Sequence, residues 1–378
     1  MLIIINRSRF TVYYSCTTKT YSYICNDYKR KQIFVMKQII IISLVSLLVG
    51  LCSCNSSPTF TRASGAPYEM VVVMDKAIWD SPTGEIVKEE LIAPVPYLPE
   101  AESAMRLTYT RPDQFESFLM YVRNILFVNI DKNQYTIVSL QKSSDRWAQG
   151  QAILHLNAPD ASMLEEYLAE NKGILVNYYN KEEMRRSREF LGVTYSTFVM
   201  EKVKDKFGIT INAPNDITAF KDGTDCLWFS NDATVGRTDL LIYTFPYTDI
   251  SNFTLEYLVA KRDSVAKAMV PGSFEGSYMS TEKRVVDYFS TKINGKYCGI
   301  LRGLWRMEGG DMMGGPFVSY ARVDEQNQRV IVTEGFVFEP RKEKKNYIRR
   351  LEAALQTTRL PDELAIANTA NSTIEESE

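Results

Sequence analysis

One histidine, His155, in 378 residues leaves no room for a histidine-rich metal centre. The chain has no Gly-x-Ser-x-Gly nucleophile turn and no GK[ST] phosphate loop, which removes the two most readable signatures of hydrolases and nucleotide enzymes. Neither sign of charge dominates, with 44 basic and 46 acidic side chains, and no basic patch suited to nucleic acid stands out. An apolar stretch long enough to cross a bilayer is also missing. The run Ile39 to Leu51 is well short of the roughly 20 residues that a helix rising about 1.5 Å per residue needs.

What that short run does have is a lysine before it, Lys37, and Cys52-Ser53-Cys54 after it. Lysine, apolar core and Leu-x-Ser-Cys form the layout of a bacterial lipoprotein signal, in which cleavage exposes a cysteine for acylation. Small uncharged residues precede Cys54, and Leu51 fills the apolar position three residues upstream. Cys52 competes, but it would place bulky Leu51 directly before the cut. Residues 36–53 therefore read as the signal and Cys54 as the lipidated first mature residue. An ordinary secretory signal with an incidental cysteine is the alternative. Residues 1–35 do not fit the short basic segment that opens such a signal, so they read as an over-called extension with translation starting at Met36; an unusually extended basic n-region is the alternative. Two or three acyl chains hold a protein to a membrane essentially permanently, since each buried methylene contributes about 0.8 kcal/mol. Asn55 to Pro67, rich in Ser, Thr, Pro and Gly, extends the anchor as a flexible tether over residues 54–67. It lacks Asp and Glu, and with no acidic address for export to the cell surface the expected setting is an outer membrane, facing the periplasm. Residues 1–53 hold seven basic side chains and Asp27, so 37 basic and 45 acidic remain in the mature chain, a net charge near −8. Anchoring then falls to the acyl chains rather than to attraction for anionic lipid.

The body divides into two expected domains, 68–207 and 208–360, followed by a polar tail, 361–378, with little to bury and expected to be disordered. The first opens on the β-branched run of Tyr68 to Met74. Further strands are expected at Met105 to Thr110, Arg123 to Ile130, Tyr135 to Leu140 and Gln151 to Leu156, with Asp131-Lys132-Asn133 turning a hairpin. A helix is expected from Asp160 to Asn171 and a longer one from Lys181 to Phe207, stopped by Gly208. The second domain reads as strands at Ile209 to Ile211, Cys226 to Phe229 and Leu240 to Phe245, then a helix from Phe253 to Met269. Four long strands follow, Thr281 to Lys292, Lys296 to Met307, Phe317 to Val323 and Arg329 to Phe338, then a helix from Arg341 to Thr358. Asn294-Gly295 is a hairpin signal. Strands grouped apart from helices predict an α+β fold, two subdomains of mainly antiparallel sheet with helices packed on one face. Besides Cys54, the mature chain keeps Cys226 and Cys298, which either pair as a disulfide or stay as two separately buried thiols.

Tyr243-Thr-Phe-Pro-Tyr247, the segment Thr254-Leu-Glu-Tyr-Leu-Val-Ala-Lys-Arg-Asp263, Gly276-Ser-Tyr-Met279 and Gly310-Asp-Met-Met-Gly-Gly-Pro316 resemble a family of uncharacterised lipoproteins from Bacteroidetes-type bacteria. The resemblance runs from about Met36 to Leu360. It implies the anchor, the domain extent and an envelope setting, and brings no catalytic assignment or cofactor.

The leading candidate binding element is Gly309, Gly310, Asp311, Met312, Met313, Gly314, Gly315 and Pro316, read as a loop between two strands. Its glycines free the backbone for positive φ and close approach, and its methionines offer soft apolar contact. A plain wide hairpin loop is the competing reading. Trp147, among Ser143, Ser144, Asp145, Arg146 and Gln149, is the tryptophan expected at the surface and a candidate for stacking on a sugar ring. Ser264 and Lys267 match Ser-x-x-Lys, but without the accompanying elements of penicillin-binding enzymes they read as a solvated helix face. His155, inside an alternating strand, reads as a strand residue rather than a general base. Glu165-Glu166 and Glu182-Glu183 diverge by about 100° on a helix and read as solvated faces.

Two functions follow. The first is a non-enzymatic, lipid-anchored module that binds an envelope protein or polymer. The second is an envelope hydrolase with a carboxylate or Ser/Lys site that the sequence does not locate. A deep pocket with converging carboxylates, Ser or Lys would favour the second.

Overall fold

A computed structural model describes residues 61–310 and 312–366. Cys54, the signal and tether up to residue 60, Asp311 and the tail from residue 367 lie outside the described residues. The fold is α+β with two subdomains, as expected, built on a five-stranded and a seven-stranded sheet.

The first subdomain runs β1 (Glu69–Val73), α1 (Pro82–Ile92), β2 (Arg106–Thr110), β3 (Asn124–Ile130), β4 (Ser139–Ser144), β5 (Ala152–Ala158), α2 (Ala161–Glu170) and α3 (Ile174–Val193). Its strand order is β2-β1-β3-β5-β4, with only the β4–β5 pair antiparallel. The expected Asp131 hairpin is not formed between β3 and β4. The turn itself exists, with Asn133 N donating to Asp131 Oδ1 at 2.8 Å and Tyr135 N to Asp131 O at 2.9 Å. The following strand then passes β5 and pairs on its outer side. The physical reason is composition: β3 and β5 are mostly buried and take the centre, while Ser139–Ser144 is polar and takes an edge. Helices α1 to α3 cover one face through Val87, Leu91, Leu164, Leu168, Leu175 and Tyr179. The other face carries a small cluster of Val71, Val73, Ile125 and Ile153 backed by Phe115, Leu119 and Trp147.

The single helix expected from Lys181 to Phe207 is two. Thr194 is extended, and the Ser196 hydroxyl accepts from Val199 N at 3.3 Å, starting α4 (Thr197–Phe207). Val199, Val203 and Phe207 enter the core of the larger sheet, so packing assigns α4 to the second subdomain and moves the division from Phe207/Gly208 to the turn at 194–196.

The second subdomain continues with β6 (Ala219–Asp222), β7 (Cys226–Ser230), β8 (Arg237–Pro246), α5 (Leu255–Met269), β9 (Tyr278–Ile293), β10 (Lys296–Glu308), β11 (Gly314–Asp324), β12 (Arg329–Phe338) and α6 (Lys345–Leu355). The sheet is antiparallel throughout, ordered β6-β7-β8-β12-β11-β10-β9. Asn294 and Gly295 turn the β9–β10 hairpin with φ of 51° and 79°, the left-handed pair that a two-residue hairpin requires. Along β10 successive side chains alternate: Cys298 and Ile300 face α4 and α6, whereas Leu301 and Trp305 face α5. Helices therefore cover both faces of this sheet. Ile209 to Ile211 forms no strand beyond a bridge between Thr210 and Arg359. Residues 361–366, expected to be disordered, are helical. Asp362 pairs with Lys296 and Glu363 with Arg322, partners that a reading of tail composition does not reveal.

Cys226 and Cys298 are free thiols four strand spacings apart, roughly 19 Å across the sheet, which excludes a disulfide between them. Burial pushes the Cys298 thiol up to about 12. A thiol reagent is expected to leave Cys298 unmodified in the native protein and to modify it fully in denaturant; modification at the native rate of an exposed cysteine would contradict this placement.

Candidate functional site

Charged and aromatic side chains from both subdomains converge where the two meet. A cavity of about 290 Å³ there is lined by Tyr68 and Tyr97 from the first subdomain, Lys181 from α3, Arg302 from β10, and Arg349 and Glu352 from α6. Tyr68 and Tyr97 both hold the left-handed backbone region, with φ of 66° and 61°. For a bulky residue that conformation costs about 1–3 kcal/mol and persists only where the surroundings impose it. At Tyr97 those surroundings include Asp287, whose Oδ2 accepts from the phenol at 2.7 Å, and Phe289, whose ring lies edge-on at 6.1 Å. At Tyr68 the Arg349 guanidinium lies 4.1 Å over the ring.

The polar wall is a network. Arg302 grips Glu352 with both Nη atoms, one at 2.8 Å, and the Tyr320 hydroxyl donates to Glu352 Oε1 at 2.7 Å. Burial pushes the Tyr68 phenol up to about 12, with Arg349 acting against it. Burial lowers the pKa of the Arg349 guanidinium, opposed by Tyr68. The cavity thus presents phenol hydroxyls and guanidinium groups together with the Glu352 carboxylate, which Arg302 and Tyr320 engage.

Lys181 also borders a second, open groove of about 920 Å³, whose wall includes Arg188, Asn212, Lys292, Gln356 and Arg359. Lys181, Lys292 and Arg359 have no ion-pair partner among the described residues, and Arg188 donates to Gln356. Three cations on this wall are therefore not compensated by an ion pair, and the acidic Glu189 beside them is engaged by Arg185.

The eight residues singled out from Gly309 to Pro316 are not one loop. Gly309 and Gly310 turn with φ of 87° and 122°, whereas Gly314, Gly315 and Pro316 lie within β11. A Cβ on Gly315 would stand 2.0 Å from Val337 O, so this glycine serves close strand packing. Met312 is exposed; Met313 packs onto the α5-facing core and lines a cavity of about 180 Å³ with Trp228, Asp239, Trp305 and Phe336. Inside it, Asp239 accepts from Trp228 Nε1 at 3.0 Å and from Arg237 Nε at 3.3 Å, and burial pushes the carboxyl up to about 6.

Trp147 is half-buried rather than a free platform. It packs edge-on against Phe115 at 5.4 Å and carries the Arg146 guanidinium 4.7 Å over its ring. His155 lies in β5, stacked on Phe127 at 4.7 Å, and burial with the nearby Arg146 lowers its pKa. Ser264 and Lys267 share an open groove of about 420 Å³, but no hydrogen bond between them occurs among the described residues, and Lys267 Nζ sits 4.4 Å over Tyr278. Glu183 departs from the solvated face expected for it: it is buried and binds Arg123 Nη2 at 2.8 Å, Arg186 Nη2 at 2.8 Å and Asn124 Nδ2 at 2.7 Å. Among the described residues, no cluster of three or more His, Cys, Asp or Glu has metal-ligating geometry.

Tyr68, Tyr97, Lys181, Arg302, Arg349 and Glu352 were not flagged by any motif, since they are scattered over most of the chain and converge only through the docking of the two subdomains. The one local signal was chemical: a Tyr and several Arg adjoining apolar runs.

The architecture defines a two-subdomain α+β protein with an inter-subdomain cleft. Each subdomain has its own match: residues 63–191 fit the family model "Domain of unknown function (DUF8532)" and residues 196–357 fit "Domain of unknown function (DUF4837)". The gap between the matches falls on the turn before α4, where core packing also divides the chain. No curated protein matches the chain.

Proposed function

We propose that this chain is a lipid-anchored envelope lipoprotein, held through Cys54 in an outer membrane and facing the periplasm, that binds an envelope protein or polymer in the cleft between its subdomains without chemical turnover. The observation that carries the binding role is the cleft itself: the two left-handed tyrosines and the Arg302–Glu352 network at its floor open onto a rim with three unpaired cations. Pre-set polar groups beside uncompensated charge suit recognition of a ligand bearing negative groups. The anchor rests on the order of Lys37, the apolar run and Leu51-Cys-Ser-Cys54. The family-level expectation of a Bacteroidetes-type lipoprotein belongs to the same reading.

The test combines two measurements. Metabolic labelling with a palmitate analogue is expected to mark the wild type and to be lost in Cys54→Ala. In crosslinked cells, Lys181→Glu/Lys292→Glu is expected to reduce recovery of the bound partner more than tenfold, a loss equivalent to about 1.4 kcal/mol or more, while replacement of Gly309–Met313 by a neutral turn leaves it unchanged. Retained recovery in the charge-reversed variant would remove the cleft from the proposal, and retained label would remove the anchor.

A further inference from the structure

The first subdomain carries an apolar turn that its own core does not cover. Ser117–Tyr121 forms a short 3-10 turn with the sequence Ser-Phe-Leu-Met-Tyr. Phe118 is 74 % exposed and Tyr121 43 %, which is high for two aromatic residues three positions apart on one turn. Ser117 holds φ of 54°, so the turn is entered through a left-handed residue that presents Phe118 outward. Behind it the support is rigid: Leu119 packs on the small core cluster with Phe115 and Trp147, and Phe115 meets Phe127 edge-on at 5.1 Å.

The same turn is bound to the chain that arrives from the anchor side. Ser64 N donates to Tyr121 O at 2.7 Å and Arg123 N to Ser64 O at 3.0 Å, while Gln149 N donates to Thr61 O at 2.9 Å. Six residues lie between Cys54 and Thr61, so the seven steps from one to the other span at most about 25 Å when fully extended. An acylated Cys54 therefore fixes the bilayer surface within that distance of this face. At such short tether lengths the effective concentration of lipid at the turn is high, and a contact too weak to recruit a free protein is enough to orient a tethered one.

We propose that Phe118 and Tyr121 form a membrane-contacting lip that inserts into the interface of the bilayer holding the chain, resting on the reading of Cys54 as the lipidated residue. The occupant is lipid rather than a protein because the exposed pair couples an apolar ring with a hydroxyl-tipped one, the combination that settles at headgroup depth. The lip also sets orientation: with the first subdomain held at the surface, the tether cannot freely tumble the body.

The experiment uses the acylated full chain with Cys226→Ser and Cys298→Ser, bound to vesicles of phosphatidylcholine and phosphatidylglycerol. A nitroxide is attached at Ser117→Cys, beside the native Phe118, or at Ile250→Cys, an exposed position of the second subdomain. Pelleting with vesicles reports the anchor. Collision with oxygen, which concentrates in lipid, against a water-soluble nickel chelate reports depth. The oxygen-to-nickel ratio is expected to be severalfold higher at 117 than at 250, and Phe118→Ser/Tyr121→Ser is expected to bring 117 down to the value at 250. Protein that pellets yet gives equal ratios at both positions overturns the lip and leaves the anchor standing. Chain that carries no acyl group and stays in the supernatant overturns the anchor and, with it, the lip.

Discussion

Replacing Arg262 with methionine is expected to lower the stability of the folded protein by about 3–5 kcal/mol at neutral pH, because it leaves a buried carboxylate without its counter-charge. Arg262 and Glu334 are both fully buried between α5 and the large sheet. Arg262 Nη2 lies 2.8 Å from Glu334 Oε1, its Nε lies 3.0 Å from both carboxylate oxygens, and its Nη1 donates to Thr281 Oγ1 at 2.8 Å. The guanidinium plane lies 3.8 Å from the centre of the Phe317 ring. Desolvation of the two charges opposes their attraction, so the intact pair adds little net stability, yet breaking it is costly. Burial already raises the Glu334 carboxyl above the ordinary glutamate value, with Arg262 acting against it. A folded-state value above the unfolded one means that the folded form holds the proton more tightly, and stability falls as pH rises through that interval. Without Arg262 the carboxyl rises further, so the deficit of Arg262→Met should be large at pH 7, shrink as the solution is acidified toward the unfolded glutamate range, and be smallest once that range is passed. Arg262→Met/Glu334→Leu, which removes both charges, should recover most of the loss. Urea unfolding of the three proteins at two pH values measures this; a single variant as stable as wild type at pH 7 would show that the carboxylate is relieved by other groups.

Asp239→Asn is expected to gain about 3 kcal/mol relative to wild type between pH 4 and pH 7. Burial moves the Asp239 carboxyl from its ordinary 3.8 to about 6, even though Arg237, Ser230 and Trp228 pull it the other way. Between those two values the folded chain keeps a proton that the unfolded chain has released, so wild-type stability declines by about 1.4 kcal/mol per pH unit over the interval. Asparagine does not titrate and removes that slope. The difference between the two proteins in unfolding free energy, plotted against pH, should bend between 4 and 6 in favour of the variant; a flat difference would mean that the Arg237 contact keeps Asp239 ionised throughout.

The larger sheet shows how far local chemistry reaches. Asn294-Gly295 admits the φ values of a two-residue hairpin, and the long alternating strands on either side leave one register for it, so β9 and β10 were readable before any packing was considered. The same holds for β12 and, apart from its first turn, for α5: the helix was expected from Phe253, but Ile250–Phe253 forms a separate 3-10 turn and the Thr254 hydroxyl, accepting from Tyr257 N at 3.3 Å, starts the helix at Leu255. The smaller sheet was not legible in this way. Nothing within Asp131 to Leu140 states that a strand from further along the chain will take the place beside β3, because that choice depends on which strands bury both faces. Glu183 shows the same limit for a single residue. Arg186, three residues on along the same helix, is a local partner, and only the docking of α3 over the strand ends adds Arg123 and Asn124 and buries the carboxylate.

Sequence by itself therefore determined the α+β class, the two-part body, most of the second subdomain's strands, and the residue order at Cys54 on which the anchor proposal stands. These depend on periodicity, turn chemistry and short signals that act within a few residues. Tertiary structure alone decided the mixed strand order of the first sheet, the division before α4, the separation of Cys226 from Cys298, and the cleft of Tyr68, Tyr97, Lys181, Arg302, Arg349 and Glu352. Each of those requires segments far apart in the chain to compete for the same buried surface, and that competition is settled by the summed burial of whole faces rather than by any one stretch of residues.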